Sequence, residues 1–265
     1  ELLRWSMSSN DGTPQRMAFS PDSRKLAAAA VTASGGQMMT NLYLINLASG
    51  DPVSIANQSG VPQWLGWTSA STLLAVYDTR VVLYNAGGGE RAAYEFAGNT
   101  LKDVSVDAAG NIALLLGSGQ LHQTVLLDKN LNVQFSGSVA SANAIVRAGS
   151  LFYLLSDSGV ECCNVSGERQ WSQTLAAKPQ ALLADAKELL LFSGNTAQVL
   201  EPSQEYGLWS EGRMRFDWHS AAESNKDHVV CSRIRHLFLI SYVRWSGWCW
   251  PSATPARAFW RGSCS

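Results

Sequence analysis

Ala18-Phe19-Ser20-Pro21-Asp22-Ser23-Arg24-Lys25-Leu26-Ala27 reads as the end of one strand, a tight turn and the start of the next. Pro21 presets φ for the second turn position, and Ser20, Asp22 and Ser23 carry short side chains that bond back to the main chain. The stretch decides the fold because it recurs. Thr68-Ser69-Ala70-Ser71, Asp107-Ala108-Ala109-Gly110 and Arg147-Ala148-Gly149-Ser150 each separate two apolar runs in the same way, and Asp185-Ala186-Lys187 is a weaker copy.

The copies lie roughly 40 residues apart, the period of a four-stranded propeller blade. Working outward, four apolar runs follow in each period. The first repeat has runs at 16–19, 25–32, 41–47 and 52–56, with a loop at 33–40. The second has 63–68, 72–77, 80–85 and 91–96. The third has 102–106, 111–117, 123–128 and 133–137, and the fourth has 143–147, 151–156, 160–165 and 170–175. A fifth begins with 181–184, 188–192 and 197–200. Both alternating sets of 41–47, Leu42 with Leu44 and Tyr43 with Ile45 and Leu47, are apolar, as a strand buried on two faces requires. The expectation is an all-β propeller with blades at 17–60, 61–100, 101–140 and 141–180 and a partial blade at 181–205. Leu74, Val82, Leu83, Leu114, Leu126, Leu154 and Leu190 are the core candidates. Residues 1–6 resemble the outer strand of a repeat and offer a fourth strand to the fifth blade; an open arc of four to five blades is favoured over a closed ring.

Composition agrees with stacked sheets. Apolar residues make up 46% and charged residues 15% of 265, against roughly 25% charged in an ordinary soluble protein. The net charge of −1 gives no electrostatic case for nucleic acid or an anionic membrane surface. The longest apolar runs, 26–31 and 151–155, fall far short of the ~20 residues that span a bilayer. The chain starts at Glu1, which reads as a fragment or a mature form, so the missing targeting segment argues little for the cytoplasm.

Ser20-Pro21-Asp22 followed by Lys25-Leu26-Ala27 resembles the WD40-like repeat signature. Gly167-Glu168-Arg169-Gln170-Trp171 resembles the end of a quinoprotein-like (PQQ-like) repeat. The order of pieces over about 17–204 resembles an uncharacterised bacterial extracytoplasmic propeller family, a domain of unknown function. Those pieces are Phe19-Ser20-Pro21-Asp22, Gly35-Gly36 with Thr40-Asn41, the run 81–84, and Glu95-Phe96 leading into Leu101-Lys102-Asp103-Val104. The resemblance implies an envelope protein tethered by one N-terminal transmembrane helix, which this chain does not include.

Residues 206–265 depart from the pattern. They hold six of ten tryptophans, three of five cysteines and three of four histidines. Trp245-Ser246-Gly247-Trp248-Cys249-Trp250-Pro251 resembles no propeller strand. The tail reads either as an aromatic-rich interaction segment or as a non-native reading frame, and the second is favoured.

Tests for chemistry return structural readings. His219, His228 and His236, with Asp217, Asp227 or Cys231, lack any metal-ligand spacing. His122 stands alone beside a strand. Cys162 and Cys163 are adjacent and so face opposite sides of a strand. Gly87-Gly88-Gly89 is followed by neither Lys-Ser/Thr nor a helix, so a hairpin is expected rather than a phosphate cradle. Nucleophile elbows are absent. Asp22, Asp51, Asp78, Asp103, Asp107, Asp128, Asp157 and Asp185 sit mostly at strand ends, where bonds to the main chain explain them. Asn57-Gln58-Ser59 and Asn164-Val165-Ser166 fit the glycosylation acceptor by chance frequency alone. Trp64 and Trp67 are oddly spaced on one strand and so face opposite sides; inter-blade core is favoured for both over a binding anchor at a channel or top-face position.

The functional expectation is a non-catalytic protein-interaction or scaffold module of the bacterial cell envelope, extracytoplasmic, with an unidentified protein partner at a propeller rim. No catalytic, cofactor or metal residue is assigned, and no cofactor is expected. The alternative is a quinoprotein-like oxidoreductase or a hydrolase that gathers carboxylates at the central channel.

Overall fold

A computed structural model describes residues 6–118, 121–139, 142–175, 178–184, 189–193, 196–202 and 209–215. After a single 3-10 turn at Ser9–Asp11, every regular element among them is a strand. Blade 1 comprises β1 (Thr13–Phe19), β2 (Lys25–Ser34), β3 (Gln37–Asn46) and β4 (Pro52–Ser59). Blade 2 comprises β5 (Pro62–Ser69), β6 (Thr72–Tyr77), β7 (Arg80–Asn85) and β8 (Glu90–Glu95). Blade 3 comprises β9 (Thr100–Val106), β10 (Ile112–Ser118), β11 (Leu121–Leu127) and β12 (Val133–Val139). Blade 4 comprises β13 (Ala144–Ala148), β14 (Leu151–Leu155), β15 (Gly159–Asn164) and β16 (Arg169–Thr174). Blade 5 comprises β17 (Ala181–Ala184), β18 (Leu189–Ser193), β19 (Thr196–Pro202) and β20 (Trp209–Arg215). Each blade is a four-stranded antiparallel meander in chain order.

The central strands explain why the blades stack. All six residues of β6 are buried, so both sheet faces are apolar. The outer strands β8 and β16 alternate exposed and half-buried residues, and charged or amide side chains such as Glu90, Arg91, Glu95, Arg169 and Gln170 guard their free edges. Four buried clusters then join successive blades. Leu42, Leu65 and Tyr77 lie in the first, Leu83, Leu114 and Leu131 in the second, Leu126, Phe152 and Cys163 in the third, and Tyr153, Cys162 and Leu189 in the fourth. Two smaller clusters, around Tyr43 with Ile45 and around Leu190 with Ala197, belong to the outward faces of blades 1 and 5. Among the described residues no such cluster joins blade 5 to blade 1, and the sheets form an incomplete propeller. The first strands approach one another from blade to blade, β1 to β5, β9 to β13 and β13 to β17, and line the inner side.

The seven core candidates are all buried. Trp64 packs on the cluster between blades 2 and 3 and Trp67 on that between blades 1 and 2, on opposite faces as expected. Two expectations change. The segment 33–40 is not a loop: β2 and β3 pair from Lys25↔Asn46 out to Ser34↔Gln37, and Gly35-Gly36, both at positive φ, close a two-residue hairpin. The fourth strand of blade 5 is β20, inside the segment read as an atypical tail, rather than residues 1–6. Residues 1–5 and 216–265, with His219, His228, His236, Asp217, Asp227, Cys231 and the Trp245–Pro251 run, lie outside the described residues.

Candidate functional site

The strand-end acids come first, because a propeller site is assembled from strand ends and loops. In the turn that opened the sequence reading, Ser20 Oγ donates to Asp22 Oδ1 at 2.6 Å and accepts the Lys25 N–H at 2.9 Å, while Asp22 Oδ1 accepts the Arg24 N–H at 3.2 Å. These donors hold the Asp22 carboxyl below its ordinary range, the Ser20 hydroxyl most of all. Asp107 Oδ1 accepts the N–H groups of Ala109 and Asn111, each at 2.9 Å. Asp128 does the same for Asn130 and Asn132, and Asn164 for Ser166 and Glu168. Asp78 Oδ1 accepts the Val61 N–H at 2.9 Å. Asp157 departs from the pattern and pairs with Lys178 Nζ at 2.8 Å. Asp185 lies outside the described residues.

Inner-strand side chains tie neighbouring blades. Asp103 Oδ2 accepts the Ile145 N–H at 2.8 Å and Ser105 Oγ the Arg147 N–H at 3.0 Å, linking β9 to β13. Arg147, which the sequence reading placed in a turn, is 4% exposed. Its guanidinium donates to Gln134 Oε1 at 2.6 Å and to the carbonyls of Ile112 and Leu127 at 3.3 Å, and Nε stands 3.9 Å from Asp107 Oδ2. Burial pulls its pKa below the ordinary arginine value, opposed by the Asp107 and Asp128 carboxylates. At the other end of the arc, Trp67 Nε1 donates to Ala18 O at 3.0 Å. Across the same junction of blades 1 and 2, Gln58 Oε1 accepts from Tyr84 Oη and Arg80 Nη2, both at 3.0 Å. Burial raises the phenol pKa of Tyr77 and of Tyr84. These are structural ties rather than reactive groups.

The cysteines divide as expected, Cys162 facing blade 5 and Cys163 facing blade 3. Burial, then the neighbouring Cys163, push the Cys162 thiol up to about 12; burial, then Glu161, push Cys163 up to about 11. Both stay protonated near neutrality, so neither is an activated nucleophile. His122 Nδ1 accepts the Ala142 N–H at 3.5 Å. Among the described residues no three His, Cys, Asp or Glu side chains gather as metal ligands. None of their helices is long and apolar enough to cross a membrane.

The cavity of interest is a cleft of about 430 Å³ between blades 3 and 4. Phe135 and Val139 of β12 face Phe152 and Leu154 of β14 across it, with Glu161 and Cys163 of β15 alongside. Ser138, Ser156, Ser158, Ser172 and Thr174 bring hydroxyls to its walls. The sequence reading missed this cleft.

The sequence profile of a family of unknown function (DUF5711) matches residues 1–201. The chain belongs to that family. No protein of curated function matches this member in sequence. Its blades are similar to those of three solved structures, among others. Sqt1 from Chaetomium thermophilum is 13% identical with a TM-score of 0.57, over 78% of this chain and 62% of that one. The RRP9 WD40 repeats are 10% identical with a TM-score of 0.51, over 76% and 66%. The Dos1 propeller is 10% identical with a TM-score of 0.53, over 77% and 63%. The DUF5711 chain therefore spans under two thirds of each of these propellers, and at such identities the likeness shows the fold alone.

Proposed function

We propose that this chain is a non-catalytic interaction module of the bacterial cell envelope, with its rim loops as the contact surface for a protein partner. One observation carries the non-catalytic part. Among the described residues, the five inner strands hold a single carboxylate, Asp103, and the blade 4 main chain already occupies it. Channel-centred hydrolysis or quinone chemistry needs several acids or ligands converging there. The rim offers apolar contact points instead. Met38, beside the Gly35-Gly36 hairpin, is 52% exposed, and Leu121, at the corresponding connection of blade 3, is 76% exposed. The envelope location, and a tether by an N-terminal transmembrane helix in a longer parent, rest on the resemblance of the repeat pattern.

The test is retention of envelope proteins, against cytosolic proteins, by the immobilised full chain and its Met38→Asp and Leu121→Asp variants. A specific envelope protein retained by the parent chain and lost by both variants supports the proposal. Equal retention by all three, or retention of cytosolic proteins alone, sinks it.

A further inference from the structure

The cleft between blades 3 and 4 lies beside a glycine that makes room for an aromatic ring. In the turn from third to fourth strand, blade 3 places Leu131 in the left-handed position at φ 68°, and its side chain is buried against blade 2. Blade 4 has Gly167 at the same position, at φ 81°. No side chain projects toward blade 3, and the Phe135 ring lies across the glycine. Farther along, blade 4 presents Ser156, Ser158, Gly159 and Cys163, all small. A volume of about 430 Å³ remains, inside the range of ~300–1,000 Å³ that small-molecule sites occupy.

The walls select by chemistry. Phe135, Val139, Phe152 and Leu154 accept an apolar body. Among the described lining residues Glu161 carries the one side chain that is charged near neutrality, because Cys163 stays a thiol. Arg169 is not part of the lining. Its Nε stands 3.9 Å from Glu161 Oε1, and the two side chains are 66% and 41% exposed, so solvent weakens that pair. An anion entering here meets a carboxylate and no lining cation. A cation on an apolar stem meets the phenyl rings with its stem, the carboxylate with its head, and the serine hydroxyls with its remaining donors.

We propose that the cleft binds a small organic cation with an apolar body, an alkyl- or arylalkylammonium, with its charged head at Glu161. The proposal does not rest on the rim-interaction reading.

Calorimetric titration of the full chain with 2-phenylethylammonium, 2-phenylethanol and 3-phenylpropionate, three probes of similar shape and different charge, tests it. The cation is expected to bind roughly five-fold tighter than the alcohol at low salt, with the anion weakest. Glu161→Gln should bring the cation down to the alcohol's affinity. Ser172→Phe, at an exposed position on β16 beside Glu161, should weaken the cation and the alcohol alike. Equal affinity for the three probes, a charge preference that survives Glu161→Gln, binding unchanged by Ser172→Phe, or no binding at millimolar concentration overturns the proposal.

Discussion

Arg147→Met tests how the blades are fastened. The side chain is 2% exposed, and the substitution keeps an unbranched apolar stem while deleting the guanidinium. Five acceptors lose their donor at once: Gln134 Oε1, the Ile112, Leu127 and Gly149 carbonyls, and the Asp107 carboxylate, which is itself 7% exposed. Each unsatisfied buried acceptor costs about 1–3 kcal/mol, and breaking a buried charged pair from one side costs about 3–5 kcal/mol in total. Asp107 keeps its bonds to Ala109 and Asn111, which places the expected loss at the lower end, about 3 kcal/mol. For a chain of this size that lowers Tm by roughly 6–12 °C. Arg147→Lys should recover part of the loss, since an ammonium keeps the charge near Asp107 but cannot reach a side-chain amide and two carbonyls as a planar fork does. Urea titration followed by circular dichroism gives both numbers. A loss below about 1 kcal/mol for Arg147→Met, with an unchanged m-value, would refute the reasoning that these bonds are net stabilising in the folded chain.

Gly167→Ala should destabilise by about 2–4 kcal/mol, because the new Cβ meets the Phe135 ring and the residue sits at φ 81°; a melt that matches the parent chain would contradict it. Leu131→Gly relieves left-handed strain but empties a buried site, and a net loss of about 1–3 kcal/mol is expected in the same melt. Asp11, Asp22, Asp128 and Asp157 all have carboxyl groups held below the ordinary 3.8. Their contribution is therefore present above pH 3.8 and lost as pH falls through the lowered values, so Tm should drop only on acidification below that point. The two buried thiols carry the opposite sign. Their contribution is complete below the ordinary 9.0 and fades as pH rises toward about 11 for Cys163 and 12 for Cys162, and Cys162→Ala with Cys163→Ala should flatten the alkaline limb of the Tm profile.

Most of the fold was legible because its signals are local. The turn around Ser20 bonds within itself, and so do those at Asp107, Asp128 and Asn164. Each marks a strand end within a residue or two. Two-faced apolar runs such as 72–77 then announce a strand covered on both sides. Two errors arose where a local signal pointed elsewhere. Gly35-Gly36 belongs to loops as readily as to tight hairpins, and the strands around it carry few large apolar residues to extend the reading. Strand β20 has no alternating pattern at all, and its place is set by pairing along β19. Arg147 was unreadable for a different reason. Its blade 3 partners lie 13–40 residues away, and an arginine beside Ala148-Gly149 looks like any solvated turn residue. The cleft was within reach. Setting the turns that begin at Asn85, Asp128 and Asn164 in register puts Gly88, Leu131 and Gly167 at one position, and the exchange of leucine for glycine marks where the Phe135 ring seats at the edge of the cleft.

The ladder of contacts from one sheet to the next has a consequence for how such a chain changes length over evolutionary time. Gaining or losing a whole blade disturbs only the two junctions it touches, provided the new neighbours present compatible faces. The junctions are unequal in that respect. Between blades 1 and 2 the polar fastening includes an indole bonded to a main-chain carbonyl, which any residue at position 18 supplies. Between blades 3 and 4 the arginine of one repeat is keyed to a glutamine, an aspartate and two carbonyls of the repeat before it. Recombination that splits this pair strands a buried cation on one side and its acceptors on the other. Blades 3 and 4 should therefore be inherited, duplicated or deleted together.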